Sequence, residues 1–204
     1  MRLRELRMDW KVVTTIIVST LLLTIDYYHR LFPYHVLDRL FLYLVVPLII
    51  IILFYRESPA KYGFRIGDWR AGIVITSIGI LGAAVVIFFV AQTDVFQEYY
   101  APLANLTIPM PIYTALELFG WEFLFRGFLL FSLYTVIGPY AIVLQAVPFA
   151  LAHLGKPELE TMSTILGGTA FGYIAWRTGS FYYPFLIHWF ILTATIFIAS
   201  GGMG

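Results

Sequence analysis

Long apolar stretches separated by short polar joints constrain this chain more than any other feature of its sequence. Several of these stretches approach the roughly 20 residues that a helix needs to cross the hydrocarbon core of a bilayer. Only 12% of the 204 residues are charged and 60% are hydrophobic, whereas about 25% of the residues of a soluble domain are charged. The sequence therefore predicts an all-α fold, a polytopic transmembrane bundle of about seven helices, with roughly six to eight as the range.

The apolar pattern assigns each span a place along the chain. The predicted spans are Val12–Tyr28, Val36–Tyr55, Ala71–Ala91, Pro111–Ile137, Tyr140–Leu154, Ser163–Trp176 and Phe181–Ser200. Pro47 predicts a kink in the second span, and Gly72, Gly79 and Gly82 predict close helix contacts in the third. Because no repeat, soluble domain or low-complexity tract interrupts the pattern, residues 1–204 are expected to form a single integral membrane domain.

The distribution of basic residues predicts how the bundle is oriented. Arginine and lysine are concentrated in residues 1–7 and in the joint 56–70, which lie on one side if two spans separate them. Basic segments tend to stay cytoplasmic, so the N-terminus is expected inside and Gln92–Asn105 outside, in a multi-pass protein of the cell membrane. We interpret the N-terminus as part of an uncleaved first span. A net charge of +1 indicates no nucleic-acid partner, and the absence of cysteine excludes thiol catalysis.

Ionisable residues inside the predicted spans are the candidate functional residues. An isolated charge near the bilayer centre costs about 2.5–3.5 kcal/mol on insertion scales, so such groups usually face the bundle interior and have partners. Glu122 and Arg126 are four residues apart and can pair on one helix face, which by itself could serve packing alone. Glu117 is rotated by about 140° from Glu122 and is expected to be a wetted carboxylate near the start of the helix.

Two histidines could join this pair in the interior of the bundle. If the chain reverses at Gly138-Pro139, Arg126 and His153 lie at one depth, and a turn near Thr178 sets His188 opposite Gly168. A buried carboxylate and imidazole can activate water for attack on a peptide carbonyl, with an imidazole or guanidinium near the oxyanion.

The same side chains leave a second chemistry open. Glu122, His153 and His188 could instead bind a divalent metal such as zinc. The motifs HExxH, GxSG and GxGD, which are typical of zinc, serine and aspartyl intramembrane proteases, are all absent from the sequence.

Three short motifs in order, 122–127 (EFLFRG), 149–153 (FALAH) and the late-helix His188, resemble the CPBP family of intramembrane proteases. This family comprises the CAAX prenyl endopeptidases and the bacteriocin-processing or immunity proteins, also called Abi, and the resemblance covers residues 113–197, a CPBP-like catalytic core. It implies a hydrolase with a glutamate–histidine centre, no required cofactor, and a membrane-embedded or prenylated peptide as substrate.

The family pattern EExxxR, FxxxH and HxxxN implies a role for each matching residue. Glu122 matches the second glutamate, Arg126 the arginine, His153 the first histidine and His188 the second, as an oxyanion donor. The first glutamate, the general base of the family, aligns with Trp121, and the asparagine aligns with Leu192. Neither replacement can do the same chemistry, because tryptophan accepts no proton and leucine donates no hydrogen bond.

These departures leave three possibilities for the function. In the first, Glu122 acts as the base. In the second, Glu158 or Glu160 folds in from a joint expected to be a solvated loop. In the third, the chain is an inactive scaffold or immunity-type binding protein. A transporter is less favoured because no paired half-repeats are present. The resemblance implies a site open to the cytosol, whereas the charge pattern places the joint Gly155–Glu160 outside. A half-crossing segment around residues 92–111 would reconcile the two.

Overall fold

The computed structural model describes residues 9–104 and 108–202, and these residues form eight helices and no strand. The helices are α1 Trp10–Tyr28, α2 His35–Phe54, α3 Trp69–Val90, α4 Asp94–Tyr100, α5 residues 110–137, α6 Tyr140–Leu151, α7 Glu158–Thr178 and α8 Tyr182–Ala199. Short 3₁₀ turns follow α2 and extend α4. The predicted all-α membrane bundle is confirmed. The basic residues 1–7 and Asn105, which entered the orientation prediction, lie outside the described residues.

Four helices, α1, α2, α3 and α8, are long and apolar enough to cross a membrane. On α3, large apolar side chains stay exposed along one stripe, formed by Val74, Ile78, Leu81 and Val85. This spacing of three and four residues follows a single helix face. An apolar face of this length would be unstable against water and is satisfied by lipid, which makes this a membrane protein.

Both ends of each predicted span lie within about two residues of the ends of the observed helix, which is a normal margin. The exceptions are the end of α6 and the beginning of α7. α6 ends at Leu151, so His153 lies in the turn that follows the helix rather than inside a span. α7 begins at Glu158, so Glu158 and Glu160 belong to its first turn rather than to a loop. Pro157 immediately before the helix and acidic residues at its start both favour a helix beginning there.

Small residues allow the close helix contacts, although not always with the helix that was expected. A Cβ atom added at Gly72 or Gly79 would collide with α8, whereas one at Gly82 would meet nothing within 4 Å. Gly168 was expected to bring α7 against His188 on α8. Instead, this face of α7 packs against α6, where a Cβ atom added at Gly168 would lie 2.9 Å from the ring of Phe149.

Two helices contain π-helical stretches. In α2, Pro47 lies between Phe41–Val45 and Ile50–Phe54, where wider winding tolerates a residue that has no backbone N–H. In α5, the stretch Phe123–Leu129 follows directly after Glu122. Such insertions are frequent at functional sites. Here the wider winding shortens the axial length of α5 slightly.

Two ion pairs mark the end of the bundle that carries the basic joint. Lys11 Nζ at the start of α1 donates to Glu57 Oε1 at 2.7 Å, and Arg177 Nη1 donates to Asp68 Oδ2 at 2.9 Å. These contacts bring the start of α1, the joint between α2 and α3 and the end of α7 together.

The opposite end of the bundle holds α4 and the turn before α7. Val90, at the end of α3, and Met110, at the start of α5, pack on the same apolar cluster as Ile196 of α8. Among the described residues, α3 therefore ends and α5 begins at the same end of the bundle, so no complete crossing lies between them. The joint Gly155–Glu160 stays at the end opposite to the basic joint 56–70.

Candidate functional site

A carboxylate, a guanidinium and an imidazole meet in the interior between α5 and α8. Glu122 Oε1 accepts a hydrogen bond from His188 Nδ1 at 2.6 Å and one from Arg126 Nη1 at 3.1 Å. Glu122 and Arg126 are both completely buried. The predicted pair is therefore present, and His188 joins it. Among the described residues, the second carboxylate oxygen, Oε2, has no protein partner.

Aromatic rings surround the guanidinium of Arg126. Its central carbon lies 3.8 Å from the ring centroid of Phe149 on α6 and 5.2 Å from that of Phe171 on α7. Desolvated cation–π contacts of this kind contribute about 2 kcal/mol or more. The guanidinium of Arg126 thus lies against Phe149, one helical turn before His153.

His153 is held in place by the end of α6. Its Nδ1 lies 2.7 Å from the carbonyl oxygen of Phe149, and because a carbonyl can only accept, Nδ1 carries the proton. The ring of His153 lies 6.4 Å from the ring of His188 in a nearly parallel arrangement. Nε2 of His153 is therefore the nitrogen free to accept a proton or a hydrogen bond from a ligand.

Two cavities meet at the two histidines. The first, which we call the lateral groove, has a volume of about 420 Å³ and lies between α3, α4, α7 and α8. The second, which we call the inner cavity, has a volume of about 240 Å³ and lies between α2, α4, α5 and α8. Both cavities are lined by Tyr100, His153, Lys156, His188 and Leu192. The histidines are therefore reachable from both cavities, whereas Glu122 lines neither.

The two residues that depart from the family pattern lie at this site. Trp121 lines the inner cavity, with its ring centroid 5.8 Å from that of His153, and Leu192 lines both cavities. On its other side, the guanidinium of Arg39 lies 4.8 Å from the ring centroid of Trp121. Positions 121 and 192 therefore line cavities that His153 and His188 also line. Their side chains, an indole and an aliphatic group, replace the carboxylate and the amide of the family pattern.

The three remaining candidate glutamates differ in the cavity that they line. Glu117 lines the inner cavity and forms an ion pair with Arg39. Glu160 lines the lateral groove, where it accepts from Tyr100 at 2.5 Å and from Lys156 at 2.8 Å. Glu158 is exposed and lines neither cavity.

Sequence reasoning did not identify Arg39, Tyr100 and Lys156 as part of the site. For Arg39 a signal was available, because an arginine within an apolar span needs a partner as much as Arg126 does. Lys156 offered a weaker signal, since it lies four residues before Glu160 and can pair with it across one helical turn.

The metal alternative can be compared with the arrangement of possible ligands. In residues 9–104 and 108–202, no group of three or more His, Asp or Glu side chains is placed to hold a metal ion. Glu122 and His188 are in contact, but Nδ1 of His153 is directed to a backbone carbonyl. A histidine whose Nδ1 donates to a carbonyl keeps Nε2 as its one possible metal ligand.

Comparison with known proteins connects this site with a family. No curated protein and no solved structure matches the chain. The family model described as type II CAAX prenyl endopeptidase Rce1-like matches residues 103–194, less than half of the chain. This segment runs from α4 to α8 and includes Glu122, Arg126, His153 and His188. Residues 103–194 are therefore similar to the Rce1-like type II CAAX prenyl endopeptidases, in agreement with the predicted resemblance to the CPBP family.

Proposed function

We propose that the protein is an intramembrane endopeptidase that hydrolyses a peptide bond of a membrane-associated or prenylated substrate, using water activated by carboxylate and histidine groups. The observation that carries this proposal is the meeting of two buried histidines, one tied to a buried carboxylate, at the junction of two cavities. The Rce1-like domain supports the same class of reaction. No cofactor is needed for this chemistry.

Glu122 acts in this proposal as the support of His188 rather than as the base. Its carboxylate is completely buried and its Oε1 already accepts two hydrogen bonds. A carboxylate on Nδ1 fixes the tautomer and the orientation of an imidazole, as in other hydrolases. When protonated, His188 donates from Nδ1 to Glu122 and keeps Nε2–H for the oxyanion that forms on the substrate carbonyl.

The lateral groove is the proposed place for the apolar part of the substrate. Its walls are mostly apolar and come from helices that face lipid, including α3. A chain embedded in the bilayer could enter between α3 and α7 and present its peptide bond to His153 and His188. The volume of about 420 Å³ is in the range of pockets that hold small ligands.

The test is cleavage of peptides by purified protein in detergent or liposomes. A pool of membrane-anchored and prenylated CAAX peptides is offered with and without chelator to the wild type, Glu122→Gln, His153→Ala and the control Glu158→Gln. We expect chelator-insensitive cleavage in the wild type and the control, and loss in the other two. Chelator-sensitive cleavage would favour a metal site, and full activity in both site variants would refute the assignment of residues.

A second function, a catalytically inactive scaffold or immunity-type binding protein, is favoured by Trp121 and Leu192 at the cavity walls. In that case the purified wild type binds the same peptides saturably and does not cleave them. Binding can be followed by the change in tryptophan fluorescence, because Trp121 lines the inner cavity. Cleavage of any peptide in the pool that is lost in His153→Ala would exclude this alternative.

A further inference from the structure

We infer that Glu117 is the general base of the proposed hydrolysis, taking the place of the glutamate that the family pattern puts at position 121. The inference rests on the proposed function and names the group that accepts the proton of the attacking water. It departs from the sequence-based expectation that Glu117 is only a wetted carboxylate near the start of its helix.

The position of Glu117 on α5 is the first observation. Glu117 lies four residues before Trp121, so the two side chains share one face, about 6 Å apart along the helix axis. Both line the inner cavity together with His153 and His188. A carboxylate displaced by one turn thus reaches the same cavity that a glutamate at position 121 would face.

Glu117 is also the carboxylate with access to that cavity. Among the described residues that line the inner cavity, it is the only aspartate or glutamate. Its side chain keeps 15% of its surface exposed, whereas Glu122 is fully enclosed. Glu160 faces the lateral groove instead, where Tyr100 and Lys156 hold it.

Arg39 fixes the orientation of this carboxylate. Its guanidinium donates to Glu117 and also to Asp26 on α1, at 3.4 Å for the latter, while it lies over the ring of Trp121. These three contacts from α1 and α5 leave Arg39 little freedom. One oxygen of Glu117 is therefore held by Arg39, and the other is available to orient a water molecule in the cavity.

The charges and titratable groups around this cavity include a single anionic proton acceptor. They are His35, Arg39, Tyr99, Tyr100, Tyr113, Glu117, His153, Lys156 and His188. Since the other groups are cationic, neutral or phenolic, Glu117 is the anionic acceptor among them. Nε2 of His153 is positioned to share the water through its free lone pair.

The reaction step balances without any further reactant. A water molecule gives one proton to the carboxylate of Glu117 while its oxygen forms a bond to the substrate carbonyl carbon. The tetrahedral intermediate then collapses, the carbon–nitrogen bond breaks, and Glu117 returns the proton to the leaving amine. One water is consumed, and a new carboxyl group and a new amine are released.

The test compares Glu117→Gln, Glu117→Asp and the control Glu158→Gln in steady-state cleavage of the peptide that the wild type cuts best. Glutamine keeps the shape and can still accept a hydrogen bond from Arg39, but it cannot take a proton at neutral pH. We expect kcat of Glu117→Gln to fall at least about 100-fold with little change in KM, since general-base catalysis contributes about 10²–10⁴-fold. Glu117→Asp, whose carboxylate is withdrawn by one methylene, should keep an intermediate kcat, and Glu158→Gln should match the wild type.

The outcomes separate this inference from the proposed function. If the wild type cleaves and folded Glu117→Gln keeps more than about one-tenth of kcat, the inference is refuted and the proposed function stands. If Glu117→Gln does not fold, as judged by its melting temperature and gel filtration, Glu117→Asp decides, and an unchanged kcat in that variant refutes the inference. If the folded wild type cleaves no peptide of the pool, both the inference about Glu117 and the proposed function are refuted.

Discussion

The charge balance between Glu122 and Arg126 sets the cost of removing either side chain. Both are fully buried and their nearest nitrogen and oxygen are 3.1 Å apart, so each neutralises the other. Glu122→Gln keeps the size of the side chain but leaves the guanidinium without a counter-charge. Breaking a buried pair in this way costs about 3–5 kcal/mol of the free energy of unfolding. The contacts of the guanidinium with Phe149 and Phe171 exist already in the wild type and offer no new compensation.

The reverse change is expected to cost less. In Arg126→Met the carboxylate of Glu122 keeps its hydrogen bond from His188 Nδ1, so we expect a loss of about 1–3 kcal/mol. In the double variant no buried charge is left unpaired. Its loss of stability should therefore fall short of the sum of the two single losses by up to about 3 kcal/mol, the coupling energy of the pair.

This cycle can be measured by equilibrium unfolding in mixed micelles. Purified variants are titrated with SDS and followed by tryptophan fluorescence, with Glu158→Gln as a control for the loss of an exposed carboxylate. Losses that simply add in the double variant, or a Glu122→Gln variant within about 0.5 kcal/mol of the wild type, would refute the reasoning from charge balance. The double variant also serves the activity assay, because it tests the loss of Glu122 in a protein without the unpaired guanidinium.

Three further predictions concern packing, orientation and pH. Gly168→Ala should lower stability by about 1–3 kcal/mol in the same unfolding assay, because the new Cβ lies 2.9 Å from a phenylalanine ring of α6, while Gly167→Ala, with nothing within 4 Å, should not. The chain contains no cysteine, so single cysteines can be introduced as labelling sites. Lys61→Cys should react with an impermeant maleimide from the cytoplasmic side and Tyr28→Cys from the opposite side of the membrane. Labelling of both variants from one side would contradict this orientation. A hydrogen bond from Lys11 of α1 lowers the pKa of Glu57. This ion pair should stabilise the folded protein by about 0.2–1 kcal/mol above the ordinary glutamate pKa, and the stabilisation should be lost as pH falls through the lowered pKa. Unfolding measured as a function of pH should show this loss in the wild type and not in Glu57→Gln.

The helices could be predicted from the sequence because lipid imposes one simple requirement on each of them. A span must hide its backbone polar groups in a helix and present apolar side chains, and both demands can be read from a continuous run of residues. The break at Gly138-Pro139 could be located for a similar local reason. Gly138 has a positive φ of 56°, a conformation that glycine adopts readily and that ends the helix. The beginning of α7 was placed too late, because two glutamates looked like loop residues although they suit the start of a helix.

The site was only partly predictable, because its geometry depends on how α5 is wound. Glu122 and Arg126 could be paired from their spacing of four residues alone. The depth of His153 could not be obtained in this way, since α6 ends at Leu151, before His153, and α5 contains the π-helical stretch Phe123–Leu129. No local pattern of residues in the sequence predicts such a π-helical stretch. The approach of Arg39 to Glu117 could not be predicted either, because the two residues lie 78 positions apart in the chain.

The tryptophan at position 121 is consistent with the charges that surround it. Arg39 already faces two carboxylates, those of Asp26 and Glu117, and its guanidinium lies over the ring of Trp121. A third carboxylate at position 121 would add unbalanced negative charge in a poorly solvated region, where each such charge is costly. An aromatic ring can contact the same guanidinium without adding charge. A glutamate at position 117 and a tryptophan at position 121 thus form a combination in which both side chains contact Arg39 and only one of them adds a charge.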